Sequence, residues 1–394
     1  MARVSPTSPV RDIPRSGIRA VMELALHDPD AIHLEIGEPD ARVPAHVVDA
    51  VAAAVARGEA GYSSSQGRAD LREVAAARIA RRTGLAVDPG HVVVTHGAMH
   101  GLAMSLATLL GPGDEVLLPD PKFPNWEMAA VAAAVHAGTY PTRADAGFVP
   151  DPREVEAAIG PRTRAIVVCS PNNPTGAVYP PEVIEALVDV ARRHDLWVLA
   201  DECYEAITFG VPHTPAATFD TDGRVLTFHT MSKTYAMTGW RTGYVVVPDA
   251  GVVEHLGRLA EATVACPSTI GQHAALAALT GPQEWVHDAV ESYWDRRDAA
   301  VKLLRSRGVR LVEPDGAFYL MVDVGTQDTD RFARELLVRR HVAVAPGATF
   351  GPAAGGMVRV SLAAPRAALE EGLTRLADEV RPGTGSAALA AAAR

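Results

Sequence analysis

Short apolar runs that alternate with helical patterns restrict the fold of this chain more than any other feature. From about residue 90 onward these runs show little alternation of apolar and polar residues, as in strands covered by helices on both sheet faces. The runs are 91–95, 115–118, 165–169, 196–200, 225–228 and 243–247, and helical patterns occur at 97–110, 125–137 and 180–194. Such alternation predicts an open, mostly parallel α/β sheet.

The segments that flank this region predict further parts. Residues 32–40 indicate a short strand and a turn, 44–57 and 71–82 indicate helices, and 283–307 indicates a long helix leading to a smaller α+β unit. That unit has predicted strands at 317–323, 342–345 and 357–362 and predicted helices at 330–340 and 366–380. A chain of 394 residues is long enough for two domains. We expect an arm and part of the small domain over 1–43, a large domain over 44–282, an interdomain helix and small domain over 283–381, and a flexible tail over 382–394.

Charge and cysteine content exclude several classes of protein. The chain has 47 acidic and 37 basic side chains, a net charge of −10, which argues against nucleic acid or an anionic membrane as a partner. Its three cysteines are far apart and form no CxxC motif, so neither a disulfide framework nor a metal site is expected. The sequence has no signal-peptide pattern and no run of 18 apolar residues. We therefore expect a cytoplasmic protein.

Polar segments follow the predicted strands at the sheet edge where ligands of open α/β sheets bind. The segment after 91–95 opens a helix, and free N–H groups at a helix start suit a phosphate. These segments are His96-Gly97-Ala98-Met99-His100, Ser170-Pro171-Asn172-Asn173-Pro174-Thr175-Gly176, Asp201-Glu202-Cys203-Tyr204 and Thr230-Met231-Ser232-Lys233. None contains a GxGxxG fingerprint, which disfavours a dinucleotide site.

Lys233 is one of only three lysines, with Lys122 and Lys302, among 37 basic residues. Arginine stays protonated, whereas a lysine amine can lose its proton and attack a carbonyl to form a Schiff base. Lys233 follows a predicted buried strand and precedes Arg241 by eight positions. An ordinary surface lysine in a loop is the alternative interpretation.

One cofactor would use these strand-end groups together. Pyridoxal phosphate needs a lysine for its aldehyde and an acid that keeps its pyridine nitrogen protonated. Asp201 ends an apolar strand, where burial of a carboxylate is costly unless it is paired with a cation. The alternative for Asp201 is a helix N-cap.

From Ser16 to about Leu376, the chain resembles fold-type I pyridoxal-phosphate enzymes of the class I/II aminotransferase family, within the aspartate aminotransferase-like superfamily. The motifs that carry the resemblance occur in order: Gly37-Glu38-Pro39-Asp40, Tyr62 to Gly67, Gly97-Ala98-Met99, Pro121-Lys122-Phe123-Pro124, Asn172-Asn173-Pro174-Thr175-Gly176, Asp201-Glu202-Cys203-Tyr204, Ser232-Lys233, Arg241, Pro346-Gly347 and Arg359-Val360-Ser361. The resemblance implies a mostly parallel, seven-stranded sheet between helices in a large cofactor-binding domain, with a smaller α+β domain.

The resemblance also implies roles around the cofactor ring. Lys233 would form the Schiff base with the cofactor (the internal aldimine) and then move protons between Cα and C4′. Asp201 would pair with the pyridine nitrogen. Asn173 and Tyr204 would hydrogen-bond the ring 3′-oxygen, and Phe123 would stack on the ring face.

The phosphate and substrate groups follow from the same resemblance. The phosphate would be held by the Ala98 and Met99 backbone and by the side chains of Thr230, Ser232 and Arg241.

Arg359 would form a bidentate pair with the substrate α-carboxylate, helped by the Gly37 backbone and by Asn173. Tyr62 would reach the phosphate in the neighbouring subunit, which implies a homodimer with shared active sites. Taken singly, Arg359 lies in an alternating segment where an arginine usually faces solvent, and Tyr62 could anchor a loop.

Met99 departs from the pattern of one aspartate-using branch of the family, which has a lysine here for a second carboxylate. This favours an apolar or aromatic amino acid over a dicarboxylic one. Glutamate remains open as the second substrate if Arg15, Arg19 or His96 reaches its distal carboxylate.

The main hypothesis is a homodimeric aminotransferase (EC 2.6.1.-) that transfers an amino group from an L-amino acid to a 2-oxo acid by ping-pong chemistry. A C–S β-lyase, a decarboxylase or a racemase-like enzyme would use the same cofactor. A pyridoxal-phosphate-binding regulator would need an N-terminal DNA-binding domain, for which we expect no room before Ser16.

Overall fold

The computed structural model describes residues 8–380. Its strands are β1 Ile32–His33, β2 Val92–Thr95, β3 Glu115–Asp120, β4 His136–Pro141, β5 Thr163–Cys169, β6 Trp197–Asp201, β7 Val225–Thr230, β8 Gly243–Val246, β9 Leu311–Val312, β10 Tyr319–Asp323, β11 Val342–Ala343, β12 Ala345–Pro346 and β13 Met357–Ser361. Its α-helices are α1 Ser8–Asp12, α2 Gly17–Ala25, α3 Ala45–Ala56, α4 Ala69–Thr83, α5 Ala98–Leu109, α6 Pro124–Ala132, α7 Pro152–Ala157, α8 Pro181–Arg193, α9 Ala250–Val264, α10 Thr269–Thr280, α11 Glu284–Ser306, α12 Thr329–Arg340 and α13 Arg366–Glu379.

The larger sheet has seven strands in the order β2-β8-β7-β6-β5-β3-β4. Only β8 runs antiparallel to its neighbours; the other pairs are parallel. The predicted α/β fold with a mostly parallel, seven-stranded sheet is thereby confirmed.

Side chains of the central strands pack into a core on each sheet face. Ile166 and Val168 contribute to one apolar cluster, whereas Ala165 and Val167 contribute to another. Because successive side chains of a strand point to opposite faces, burial of both faces requires an unbroken apolar run. This double burial explains why the central strands were recognisable in the sequence.

Strand β4 corrects the predicted helix over 125–137. The helix α6 ends at Ala132, and His136–Pro141 pair with β3 in parallel as an edge strand. Ala134, with a positive φ of 57°, lies at the reversal between them. An edge strand is only partly covered, and most residues of β4 are at least partly exposed, so it lacks the apolar run that identifies the central strands.

A second, antiparallel sheet has the order β12-β13-β10-β9, and β1 pairs in parallel with β11. The predicted strand 342–345 consists of two short strands, β11 and β12, and β9 was not predicted. The long helix α11 agrees with the prediction, but the domain boundaries remain a prediction. The tail predicted for 382–394 lies outside the described residues, as does the start of the predicted arm.

Within residues 8–380, no helix combines the length and the apolar character needed to cross a membrane.

Candidate active site

The loops that follow β2, β5, β6 and β7 meet at one edge of the seven-stranded sheet. Register places Cys169 opposite Asp201, and Asp201 opposite Phe228, so that the carboxyl ends of β5 and β6 are level and β7 continues two residues further, to Thr230. The parallel arrangement therefore gathers the polar segments that are far apart in the sequence.

Lys233 is partly buried, and its Nζ donates a hydrogen bond of 2.7 Å to the carbonyl oxygen of Gly37. The same atom lies 6.0 Å from the ring centre of Tyr204 and 5.8 Å from that of Phe318. The amine thus lies between a main-chain carbonyl and two aromatic rings, next to the end of β6.

Asp201 is a buried carboxyl without a cation in ion-pair range among residues 8–380. Its two oxygens accept hydrogen bonds of 3.2 Å from the Trp126 indole N–H and from the backbone N–H of Cys203. Burial raises the pKa of Asp201, and these hydrogen bonds oppose that shift. A cation placed beside the carboxyl would stabilise its ionised form.

Trp126 is a site residue that the sequence reasoning missed. It lies in the first turn of α6, and its ring packs edge-on against Phe228 at 6.1 Å. Its position shortly after the predicted site residue Phe123 was the available signal, but an indole in an apolar helix is usually a core residue.

Arg359 is 2% exposed, in the centre of β13, whose residues are all buried. The alternative in which this arginine faces solvent is therefore wrong. Its Nη1 donates to Asn173 Oδ1 at 2.8 Å, and its Nη2 donates to the Glu35 carbonyl oxygen at 2.6 Å. The guanidinium lies over the rings of Tyr319, at 4.1 Å, and Phe350, at 4.9 Å.

No carboxylate lies in ion-pair range of Arg359 in the described part of the chain, and its Nε has no hydrogen-bond acceptor there. Burial lowers the pKa of the guanidinium, although an arginine remains protonated at neutral pH. A buried, uncompensated cation is costly unless an anion binds to it.

Tyr204 is buried, and its hydroxyl lies 2.8 Å from the Tyr319 hydroxyl. Burial beside this second phenol raises the pKa of Tyr204 well above its usual value, so the hydroxyl keeps its proton at neutral pH. The sequence reasoning did not identify Tyr319 as a site residue.

Hydroxyl, guanidinium and backbone N–H groups surround the start of α5. The Thr230 hydroxyl donates to Ser232 Oγ at 2.9 Å, and Nη1 of Arg241 lies 3.5 Å from the same Ser232 oxygen. Gly97 has a φ of 75°, which favours glycine, and a Cβ there would come within 2.8 Å of Arg241 Nη2. The N–H groups of Ala98 and Met99 point from the helix start, where no intrahelical acceptor exists.

Three further predicted site residues differ in their burial. Met99 and Phe123 are partly buried and pack against the apolar cluster on one face of the sheet. Tyr62 is 93% exposed.

A buried group of ionisable side chains follows Asp201 in the sequence. Glu202, Glu205 and His229 have ligand atoms within 4.8 Å of one another, a spacing that could hold a metal ion. Arg78 Nη2 lies 2.7 Å from Glu205 Oε1, and Arg82 Nε lies 3.3 Å from its Oε2. These cations already compensate Glu205 and would repel a metal ion.

The residues present fit pyridoxal phosphate, the cofactor implied by the sequence. Its pyridinium matches the buried, unpaired Asp201; its aldehyde matches the amine of Lys233; and its phosphate matches the donors around Gly97 and Arg241. Within residues 8–380, the Asp201 carboxyl has no cation in ion-pair range, and the N–H groups at the start of α5 have no intrahelical acceptor.

Comparison with known proteins gives an independent result. The family "Aminotransferase class I and II" matches residues 29–376. An aspartate/prephenate aminotransferase of Thermus thermophilus is 39% identical over 368 residues, covering 90% of this chain and 92% of that protein. An arginine–pyruvate transaminase of Pseudomonas aeruginosa is 37% identical, covering 87% of this chain and 88% of that one.

A solved structure of the aspartate aminotransferase from Thermus thermophilus with maleate superposes with a TM-score of 0.91 at 37% identity. The match covers 96% of this chain and all of that one. The fold, the family match and the relatives agree across nearly the whole chain. The chain therefore belongs to the class I and II aminotransferases, whose members use pyridoxal phosphate, and it is an aminotransferase.

Proposed function

We propose that this aminotransferase takes its amino group from an L-amino acid with an apolar or aromatic side chain and passes it to a 2-oxo acid by ping-pong chemistry. The observation that carries the amino-acid site is the buried Arg359 guanidinium, which lacks a carboxylate partner in the described chain. A substrate α-carboxylate would supply that partner.

The cofactor would be held by the strand-end residues. Asp201 would pair with the pyridine nitrogen, Asn173 and Tyr204 would donate to the ring 3′-oxygen, and Phe123 would cover one face of the ring. The phosphate would lie against the Ala98 and Met99 N–H groups and the side chains of Thr230, Ser232 and Arg241. When bound, the cofactor supplies an aldehyde for the amino group and a ring that withdraws electrons from Cα.

Lys233 would hold the cofactor and carry the proton that moves during transfer. Its Nζ already has one acceptor, the Gly37 carbonyl at 2.7 Å, which orients the amine. The neighbouring Tyr204 and Phe318 rings limit the water around it. A lysine amine that has given up its proton can accept a proton from a carbon acid and return it.

Substrate preference would depend on the residues that border the substrate side chain, on the far side of its α-carboxylate from Arg359. Asn173 accepts a hydrogen bond from Arg359, which holds the guanidinium, while the Gly37 backbone would border the carboxylate site. By the family resemblance, Met99 would place a thioether where a second carboxylate would need a cation. The relatives themselves are named for aspartate/prephenate and for arginine, so identity alone does not select a substrate.

The other cations considered for a distal carboxylate are Arg15, Arg19 and His96. Arg15 and Arg19 are exposed, and Arg19 contacts Met22 of its own helix. His96 packs near His100, with ring centres 5.5 Å apart. A role for any of them with glutamate as second substrate remains a hypothesis.

A panel of amino donors tests the proposed substrate class. We expect phenylalanine, tyrosine and leucine to give higher kcat/KM than aspartate, since an uncompensated second carboxylate would be desolvated beside Met99. Met99→Lys should raise kcat/KM for aspartate relative to phenylalanine by about tenfold or more, as expected for a new charge-assisted contact. Conversion of the bound cofactor to its amine form is followed by absorbance.

A preference of the wild-type enzyme for aspartate would contradict the proposed substrate class. Release of ammonia and pyruvate without conversion of the cofactor would instead indicate a lyase. The control is Lys302→Met, at an exposed position of α11, which should leave kcat/KM for both donors unchanged. Met104→Lys is not used as a control because Met104 is buried.

We also propose a homodimer in which Tyr62 completes the partner's phosphate site. A tyrosine that is 93% exposed is unusual, and it borders a surface cavity with Ser63, Glu261 and Cys266. A second copy of the chain would cover this surface and give the Tyr62 hydroxyl an anionic acceptor.

Tyr62→Phe is expected to weaken cofactor affinity about tenfold through loss of one hydrogen bond to a charged group. Subunits carrying Tyr62→Phe, mixed with subunits carrying Lys233→Ala, should regain high-affinity sites, because each hybrid dimer has one site with both native residues. Equilibrium dialysis measures the affinity. Monomers in sedimentation, or no recovery on mixing, would contradict shared sites.

The proposed large domain, 44–282, is supported by the seven-stranded sheet that it contains, and the small domain, 283–381, by α11 and all four strands of the antiparallel sheet. The cytoplasmic location stays a prediction, with which the unpaired state of Cys169, Cys203 and Cys266 agrees.

A further inference from the structure

Tyr319 connects two groups of the site that approach it from different sheets. It is 2% exposed and begins β10 in the antiparallel sheet, whereas Tyr204 follows β6 of the seven-stranded sheet. Their hydroxyls are 2.8 Å apart, and their rings meet edge to face at 5.7 Å. Within the described chain this is the hydrogen-bond partner of the Tyr204 hydroxyl.

The same tyrosine supports the buried cation. The Arg359 guanidinium lies 4.1 Å from the centre of the Tyr319 ring, close enough for a strong cation–π contact in a desolvated place. Arg359 is in β13, opposite Met321 of β10, so the two strands carry the pair together. The ring of Tyr319 thus contacts Arg359, the candidate for binding the substrate carboxylate. Its hydroxyl contacts Tyr204, the candidate for binding the 3′-oxygen of the cofactor.

The Tyr319 hydroxyl packs tightly against the backbone of Gly37. A Cβ on Gly37 would lie 1.8 Å from the Tyr319 hydroxyl oxygen and 2.7 Å from Cζ. The hydroxyl therefore fills the space that any other residue at 37 would occupy. The carbonyl of the same glycine accepts the hydrogen bond from Lys233 Nζ.

We propose that Tyr319 is a positioning residue that fixes the Tyr204 hydroxyl and the Arg359 guanidinium relative to each other. The inference rests on the proposed function, in which Tyr204 binds the cofactor ring oxygen and Arg359 binds the substrate carboxylate. Substrate binding at Arg359 is thereby coupled, through the Tyr319 side chain, to the hydrogen bond that Tyr204 would donate to the 3′-oxygen of the cofactor ring.

Two substitutions separate the two contacts. Tyr319→Phe keeps the ring beneath Arg359 and removes the hydroxyl, whereas Tyr319→Leu removes both. Tyr140→Phe is the matched control, because Tyr140 is also buried and its hydroxyl donates to the Val167 carbonyl at 2.7 Å, on the edge strand β4. All variants are compared as cofactor-loaded enzymes.

The readouts are the pH midpoint of the visible absorbance of the bound cofactor, the dissociation constant of 3-phenylpropionate by calorimetry, and kcat. For Tyr319→Phe we expect a midpoint moved by about half a unit or more and kcat lowered about 3- to 10-fold, with ligand affinity nearly unchanged. Tyr319→Leu should also weaken 3-phenylpropionate about tenfold. Tyr140→Phe should alter only the melting temperature.

An unmoved midpoint and kcat in Tyr319→Phe would overturn the inference while leaving the proposed function in place. So would unchanged 3-phenylpropionate affinity in Tyr319→Leu. By contrast, wild-type protein that shows no visible cofactor band would contradict the proposed function itself. A lower melting temperature alone, with the other readouts unchanged, would mean a structural role and would also overturn the inference.

Discussion

Lys233→Arg is expected to abolish transamination, with kcat lowered about 10⁴-fold or more, as for removal of a covalent catalytic group. Arginine keeps the positive charge and a similar length, but it stays protonated and cannot attack an aldehyde or accept a proton from Cα. The hydrogen bond to the Gly37 carbonyl can still form, so the fold should be preserved. Rapid-mixing absorbance of the half-reaction with a preferred donor measures the effect.

Lys302→Arg provides the matched control, since Lys302 is exposed on α11 and the substitution is chemically the same. We expect it to leave kcat unchanged. Activity of Lys233→Arg within tenfold of the wild type would exclude Lys233 as the group that holds the cofactor.

Asp201→Asn is expected to have the second-largest effect, lowering kcat about 10³-fold by removing a preorganised charge from the site. Asparagine can still accept a hydrogen bond from the Cys203 N–H, but it gives no counter-charge to the pyridine nitrogen. Without this carboxylate, the residues that would hold the ring would no longer favour its protonated, electron-withdrawing form. Steady-state kinetics at saturating cofactor isolate this loss from weaker cofactor binding.

The stability of cofactor-free Asp201→Asn should not fall along with its activity. Burial raises the folded-state pKa of Asp201, so the carboxyl group destabilises the fold by an amount that grows between the unfolded-state and folded-state pKa values and is constant at higher pH. The neutral amide does not carry this cost. The amide NH2 group cannot accept the hydrogen bond from the Trp126 indole, which offsets this gain, so we expect the cofactor-free variant to melt close to the wild-type temperature at neutral pH. Near-normal kcat, or marked destabilisation, would contradict the assigned role.

Much of the site could be predicted because its residues lie at the carboxyl ends of neighbouring strands in one sheet. Asn173, Asp201 and Lys233 each lie at or shortly after the carboxyl end of a parallel strand, and parallel strands bring these ends together. The type and order of these residues were therefore informative without knowledge of any distance.

The missed residues share a different origin. Trp126 reaches Asp201 from the side of a helix, and Tyr319 reaches Tyr204 from a second sheet. Their roles depend on how separate secondary-structure elements pack together, and the spacing of residues along the sequence does not predict that packing. The burial of Arg359 was hidden in the same way, since alternation along β13 does not reveal that both of its faces are covered.

Strand β4 was missed because this edge strand is mostly exposed, so its sequence has neither an apolar run nor a clear alternation of apolar and polar residues. The exposure of Tyr62 had no signal in the sequence itself. It was expected at a shared site only through the family resemblance, and a second subunit is needed to test it.

Borohydride reduction of the purified holoenzyme, followed by peptide mapping, tests the central claim most directly. Reduction fixes the cofactor to the amine that holds it, and the chain offers only Lys122, Lys233 and Lys302 as side-chain amines. We predict that the cofactor is recovered on the peptide containing Lys233. Its recovery on Lys122 or Lys302, or on no lysine peptide, would contradict the assignment of the active site.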